Sequence, residues 1–243
     1  MPRSEVIFPL YVYPAEAAWD PLIEQNRGIN FTLVINPASG PGAGSLPDAN
    51  YTRELTKLNT QYQNVRCIGY VATTYGSKDI EIVEQEIATY AGWGLRDPSL
   101  AVAGVFLDET PWQYSPEADQ YFQRIKATVS STDGLLGSFI VHNPGAVPHP
   151  RYSASADVTV VFEETYQTFI ERRSATALAD VPGGRGDRSI MMHSVPAGMS
   201  AKARKKLVQQ LRSLAGHLFV TDLDVDYYSG ISPHFGEFVS ALD

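Results

Sequence analysis

The chain has 243 residues, 44% of them hydrophobic and 19% charged. This is enough apolar material for one sizeable interior and too little charge for a long disordered segment. A formal net charge of -8, with no run of Lys and Arg to displace phosphate counterions, argues against a nucleic-acid partner and leaves neutral or cationic ligands open. The basic group Lys202, Arg204, Lys205, Lys206 and Arg212 has the spacing of a helix's solvated face. Cys67, the one cysteine, can form no internal disulfide and lies in a strand-like run as a small hydrophobe. Residues 1–14 lack the uninterrupted apolar core of a secretory leader, and no stretch reaches the roughly 18 apolar residues of a membrane span. A cytoplasmic setting is therefore open, as is an exported form trimmed of its leader.

In chain order, apolar runs at 6–13, 29–35, 65–71, 101–107, 137–141, 158–162, 189–193 and 218–221 have strand length. Their unbroken apolar character predicts strands buried on both faces, as in a parallel sheet covered by helices. Helical patterns lie between them. Residues 51–62 follow the capping sequence Asp48, Ala49, Asn50, and 78–90 repeat Ile80, Val83, Ile87 and Tyr90 at helical spacing after Ser77. Residues 117–129 open after Ser115 and Pro116, a cap and the proline that suits a first helical position. The chain after the fifth run is rich in Pro, Gly and Ser and predicts at most a short helix. After the sixth, a helix near 166–174 gives way to the glycine-rich segment 180–187, and 200–215 then place Leu207, Leu211 and Leu214 on one side. Strand followed by helix, repeated with two weak unions, predicts a single (β/α)8 TIM barrel over residues 1–243; the competing arrangement is an open doubly wound sheet.

In such a barrel the C-terminal strand ends and the loops after them form the active face. Those positions carry Tyr13, Asn36, Tyr75, Asp108 with Glu109, His142 with Asn143, Glu163 with Glu164, His193, and Asp222 with Asp224. In GVFLDET at 104–110, Gly104, Phe106 and Asp108 share one strand face, and Glu109 falls where the chain turns and can aim over the same mouth. Two adjacent carboxylates near a low-dielectric barrel top are expected to hold unlike protonation states. A glycosidic bond needs that division of labour: an acid to protonate the leaving oxygen, and an anion to attack or stabilise the anomeric carbon. VVFEET at 160–165 brings a further carboxylate, Glu163, with Glu164 the alternative if the strand is one residue out of phase. Asp108, Glu109 and Glu163 are thus the candidate catalytic residues. Tyr13, Tyr75, Trp112 and Tyr227 offer ring faces to a sugar, and Asn36, His142, Asn143, His193 and Asp222 offer hydrogen bonds to its hydroxyls, as candidate substrate-binding residues.

Other chemistries fit less well. His142, His193, Asp222, Asp224 and Asp226 supply metal-ligand atoms, but no HxH or HExxH spacing joins them. No GxSxG elbow is present for acyl transfer, PASGPGAG at 37–44 lacks the Lys-Ser/Thr ending of a phosphate loop, and PGGRG at 182–186 lacks a dinucleotide site's strand and helix. No cofactor or metal is expected, and the expected partner is a polysaccharide.

FPLYVYP at 8–14, FTLVINPASGPG at 31–42, VAGVFLDE at 102–109, FIVHNPG at 139–145 and VVFEE at 160–164 occur together in this order. In them the chain resembles the spherulin-4-like proteins, the group containing the fungal Sph3-type hydrolases of glycoside hydrolase family 135. The resemblance runs over nearly the whole chain and implies a (β/α)8 barrel. It also implies endo-acting cleavage of α-1,4 linkages in galactosaminogalactan, a partly deacetylated polymer of galactose and N-acetylgalactosamine. It puts the family's acidic pair on Asp108 and Glu109 and its third acid on Glu163, and implies an extracellular or cell-wall setting. A lectin-like or structural barrel that binds the polymer without cutting it is the alternative.

Overall fold

The computed structural model describes residues 3–24, 26 and 28–242; residues 1 and 2 of the segment read for a leader lie outside them. Eight strands, β1 (Glu5–Leu10), β2 (Phe31–Ile35), β3 (Val65–Ala72), β4 (Gly104–Asp108), β5 (Phe139–Asn143), β6 (Val158–Thr165), β7 (Arg188–His193) and β8 (His217–Val220), close into a barrel in chain order. Each pairs in parallel with its successor, and β8 pairs in parallel with β1. Closure between β1 and β8 rules out the open sheet. The strands are covered by α1 (Asp20–Ile23), α2 (Ala49–Gln61), α3 (Ile80–Arg96), α4 (Pro116–Ser131), α5 (Tyr166–Glu171), α6 (Ser174–Ala179), α7 (Ala201–Leu214) and α8 (Phe235–Ser240). Among the described residues, no helix is long and apolar enough to cross a membrane.

The expected caps operate for α2 and α4, where the Asp48 and Ser115 side chains accept from backbone N–H groups of the first turn; Ser200, expected as the first residue of its helix, instead caps α7 in the same way. Helix α3 differs from expectation: Asp79 rather than Ser77 caps it, accepting from the Glu81 N–H at 2.9 Å, and it runs on to Arg96. The helix expected near 166–174 is two short helices, parted where Arg173 takes φ 49. The expected short helix after β5 is a 3-10 segment, Pro150–Ser155. One surface expectation needs correction. Lys202, Lys205 and Lys206 are exposed, but Arg204 is buried and lies 3.5 Å from the Glu237 carboxylate, because α8 packs on that side of α7.

Register partners in parallel strands point to the same side of the sheet, so one assigned residue orients its neighbours. Tyr70, Phe106 and Val141 are partners, as are Ala72, Asp108 and Asn143 one step higher. The expected face of Gly104, Phe106 and Asp108 is therefore the barrel interior. Close approach requires glycine at two positions on β3 and β4. A Cβ at Gly104, which has φ 152, would lie 1.9 Å from the Phe139 carbonyl oxygen. A Cβ at Gly69 would lie 2.6 Å from the ring of Tyr90. That ring docks α3 on the sheet, and its hydroxyl donates to the Ile35 and Tyr70 carbonyls at 3.0 Å. Cys67, two residues before Gly69, is buried, and burial pushes its thiol up to about 12.

Candidate active site

Four strand ends and the loop after β8 converge above Phe106. Asp108 ends β4 with both carboxylate oxygens engaged: Oδ2 accepts from the Tyr70 hydroxyl at 2.8 Å, and Oδ1 accepts from Asn143 Nδ2 and from the Glu109 N–H at 2.9 Å each. Three donors on one carboxylate fix its orientation. Asn143 Nδ2 also donates to Glu163 Oε2 at 2.7 Å. A single buried amide nitrogen therefore spans the carboxylates of β4 and β6, bringing them within two hydrogen bonds of each other.

Glu109 has φ 52, a left-handed conformation that a non-glycine residue rarely adopts. The turn is held from below. Thr73, fully buried, donates its hydroxyl to the carbonyls of Asp108 (2.8 Å) and Glu109 (3.0 Å), and the Tyr75 N–H donates to the Glu109 carbonyl at 2.6 Å. Regular strand geometry would have sent Glu109 to the outer face; the positive φ releases it at the mouth. Its charge is felt there, since it contributes with Asp108 to raising the Tyr70 hydroxyl, whose burial is the largest cause.

The choice between Glu163 and Glu164 turns on a bulge. Val160 pairs with Ser189 and Phe162 with Ile190, so Val161 is an extra residue in β6. Val160 faces inward, opposite in phase to Thr159 and its partner Arg188, whose guanidinium reaches the outer carbonyls of Leu178 and Gly183. Unbroken alternation from Val160 would put Phe162 and Glu164 inside. The extra residue reverses the phase: Phe162 packs outward on Phe169 of α5, with ring centroids 5.4 Å apart, and Glu163 turns in. Glu164 takes the other phase and acts electrostatically on His193 and Tyr227 at the rim. Glu163 Oε1 accepts from the Tyr228 hydroxyl. Burial raises the Glu163 pKa, the Tyr228 and Asn143 hydrogen bonds oppose the rise, and the Asp108 and Glu164 charges add to it. The net effect pushes the Glu163 carboxyl toward its protonated form.

Tyr11, Tyr70, Tyr227 and Tyr228 line the cluster, Tyr11 meeting Tyr70 and Tyr228 edge-on at 5.7 and 5.4 Å. Tyr227 stacks on His193 at 4.0 Å, and His193 Nδ1 is 2.9 Å from the Ser194 hydroxyl; burial lowers the His193 pKa, against the charges of Glu164 and Asp224. Tyr75 (64% exposed), Trp112 (54%) and Tyr13 (52%) present open rings. The Tyr13 hydroxyl is already engaged by Asp48 and Asn50. Asn36 Oδ1 accepts from the Gly40 N–H at 2.9 Å and so shapes the loop 37–44. Between that loop and the start of α3 runs a groove of about 750 Å³.

Two expected substrate contacts are corrected. His142 is 2% exposed and packs on Phe122 of α4 at 4.9 Å, because β5 ends two residues later than expected and puts His142 in its outward phase. Burial pushes its pKa down to about 3. Asp222 has a buried side chain that accepts from Ser232 Oγ and from His234 Nδ1 (2.6 Å), and these bonds lower its pKa against the desolvation that would raise it. It ties down the loop that carries Tyr227 and Tyr228 instead of facing the mouth. Tyr70 and Thr73 were missed in sequence. Tyr70 had one signal, a hydroxyl-bearing ring in the inward phase one layer below a strand end; Thr73 had none. Among the described residues, no group of three His, Cys, Asp or Glu side chains is placed to hold a metal ion.

A closed parallel barrel with carboxylates gathered at its C-terminal mouth defines a TIM barrel. The chain belongs to spherulation-specific family 4, Spherulin4, whose model matches residues 5–242. It is 31% identical over 226 residues to Spherulin-4 of Physarum polycephalum, covering 90% of this chain and spanning 63% of that relative's length. The crystal structure of Aspergillus clavatus Sph3 in complex with GalNAc superposes with a TM-score of 0.94 at 46% identity, covering 99% of this chain and 98% of that one. The catalytic domain of a family GH18 chitinase from the fern Peteris ryukyuensis shares the fold alone, with a TM-score of 0.56 at 12% identity over 98% of this chain and 97% of that one.

Proposed function

We propose that the protein is an endo-acting glycoside hydrolase that cleaves α-1,4 linkages in galactosaminogalactan or a related N-acetylgalactosamine-containing polysaccharide. The observation that carries this reading is the meeting of Asp108, Glu109 and Glu163 at one mouth, with Asp108 and Glu163 joined through Asn143. The family relationship to a protein crystallised with GalNAc supports the choice of sugar.

Glu109, released by its turn, donates the proton to the leaving glycosidic oxygen. On an N-acetylated sugar, Asp108, already fixed by three donors, orients the N-acetyl group as the internal nucleophile. On a sugar without that group, Glu163 attacks the anomeric carbon or takes a proton from the water that does. Tyr75 and Trp112, on either side of Glu109 in sequence, offer stacking faces to neighbouring rings, with Tyr13, Asn36, His193 and Tyr227 around them. A net charge of -8 suits a partly deacetylated, cationic chain.

Reducing ends released from galactosaminogalactan by the wild type and by Glu109→Gln test this. Loss of a general acid is expected to lower release by about 10²–10⁴-fold. Equal release from both proteins refutes the acid role, and binding of the polymer without release from the wild type favours a non-cutting barrel.

A further inference from the structure

We propose that Tyr228 is a positioning residue for this reaction: by donating its hydroxyl to Glu163 Oε1, it fixes that carboxylate and aims it at the mouth. The inference rests on the glycosidase reading of the site. Tyr228 approaches Glu163 from the loop after β8, 65 positions away in sequence. Its ring is wedged against Phe219 at 5.2 Å, Tyr11 at 5.4 Å and Tyr227 at 4.5 Å, and its carbonyl accepts from the Tyr11 N–H at 3.1 Å. The hydroxyl's other neighbour is Met191 Sδ at 3.6 Å, a weak acceptor, so Glu163 takes the hydrogen.

The surroundings explain why such a donor is needed. The titratable groups facing Glu163 are Asp108 from β4, Glu164 on its own strand, Tyr11 after β1, Tyr70 on β3, and Tyr227 with Tyr228 after β8. The charges that act on it, Asp108 and Glu164, are both anions and disfavour a third. Hydrogen bonds to its two oxygens, from Tyr228 and Asn143, are what oppose them. Burial and the Glu163 charge raise the Tyr228 pKa well above its ordinary value, so the phenol keeps its proton and remains a donor. A phenol favours the anion without placing a cation where a positive oxocarbenium-like centre must form.

The test is the Glu163 titration itself, followed by NMR on protein labelled with carbon-13 at the glutamate side-chain carboxyls and assigned with Glu163→Gln. Removing one charge-assisted hydrogen bond in Tyr228→Phe is expected to raise the Glu163 midpoint by about one to two pH units. The acid limb of the kcat/KM profile should move up with it, with KM at the plateau unchanged. An unmoved midpoint in folded Tyr228→Phe overturns the proposal. If Tyr228→Phe does not fold, a difluorotyrosine placed at position 228 is a more acidic, stronger donor and should lower the midpoint; an unchanged or raised midpoint overturns the proposal. The NMR readout needs no turnover. A shifted midpoint in a protein that cuts no polymer therefore supports the clamp and refutes the glycosidase reading, whereas an active enzyme with an unmoved midpoint refutes the clamp alone.

Discussion

Replacing Asn143 by alanine removes the one nitrogen that serves both Asp108 Oδ1 and Glu163 Oε2, and also the acceptor for the Gly145 N–H at 3.1 Å. A hydrogen bond to a charged group contributes about 1.5–3 kcal/mol. Both carboxylates keep other donors, Tyr70 and the Glu109 N–H on one and Tyr228 on the other, and both are only half-buried, so water can replace part of the loss. The lower end applies to each bond, giving a total near ~3 kcal/mol at neutral pH, or about 6–12 °C in melting temperature for a chain of this size. The pH dependence has a definite sign. The Glu163 pKa is already raised in the folded state, and losing Asn143 raises it further. The extra destabilisation is therefore absent where Glu163 is protonated in both proteins and grows as pH rises through its folded pKa. Thermal melts of wild type and Asn143→Ala across the acid to neutral range read this directly. A melting difference under about 2 °C at neutral pH, or one that grows on acidification, refutes the reasoning.

Glu109→Gly should abolish most cleavage, about 10²-fold or more, while stability holds or rises by up to about 1 kcal/mol, because glycine adopts a positive φ without strain; calorimetry showing a loss above 1 kcal/mol would contradict the strained turn. His142→Leu should retain the wild-type kcat/KM and gain up to about 1 kcal/mol, since its buried Nε2 has no hydrogen-bond partner. A tenfold fall in reducing-end release from that variant would show that the imidazole reaches the substrate after all.

The agreement between the expected and observed barrel has a local origin. Runs such as FTLVI in β2 and GVFLD in β4 are buried along nearly their whole length, and only a sheet covered on both faces accommodates them. Caps such as Asp48 and Ser115 act within four residues of themselves, so chain order alone reveals them. The inward phase of Asp108 was legible for the same reason, because β4 is short and regular. His142 shows the limit: taken as a loop residue past the strand end it had no assigned face, but β5 runs on to Asn143 and strand alternation turns His142 outward, and the apolar pattern at 137–143 does not mark that end.

The sequence by itself determined the barrel, its strand order and the acidic character of its mouth, because hydrophobic burial and helix capping are written in neighbouring residues. Tertiary structure alone decided the phase of Glu163, through the extra Val161 in the β6–β7 ladder. It also decided the left-handed turn at Glu109 and the recruitment of Tyr70, Asn143 and Tyr228 as donors. Ladder register and hydrogen bonds across the mouth depend on groups tens of residues apart meeting in one place, and closure of the sheet is what brings them together.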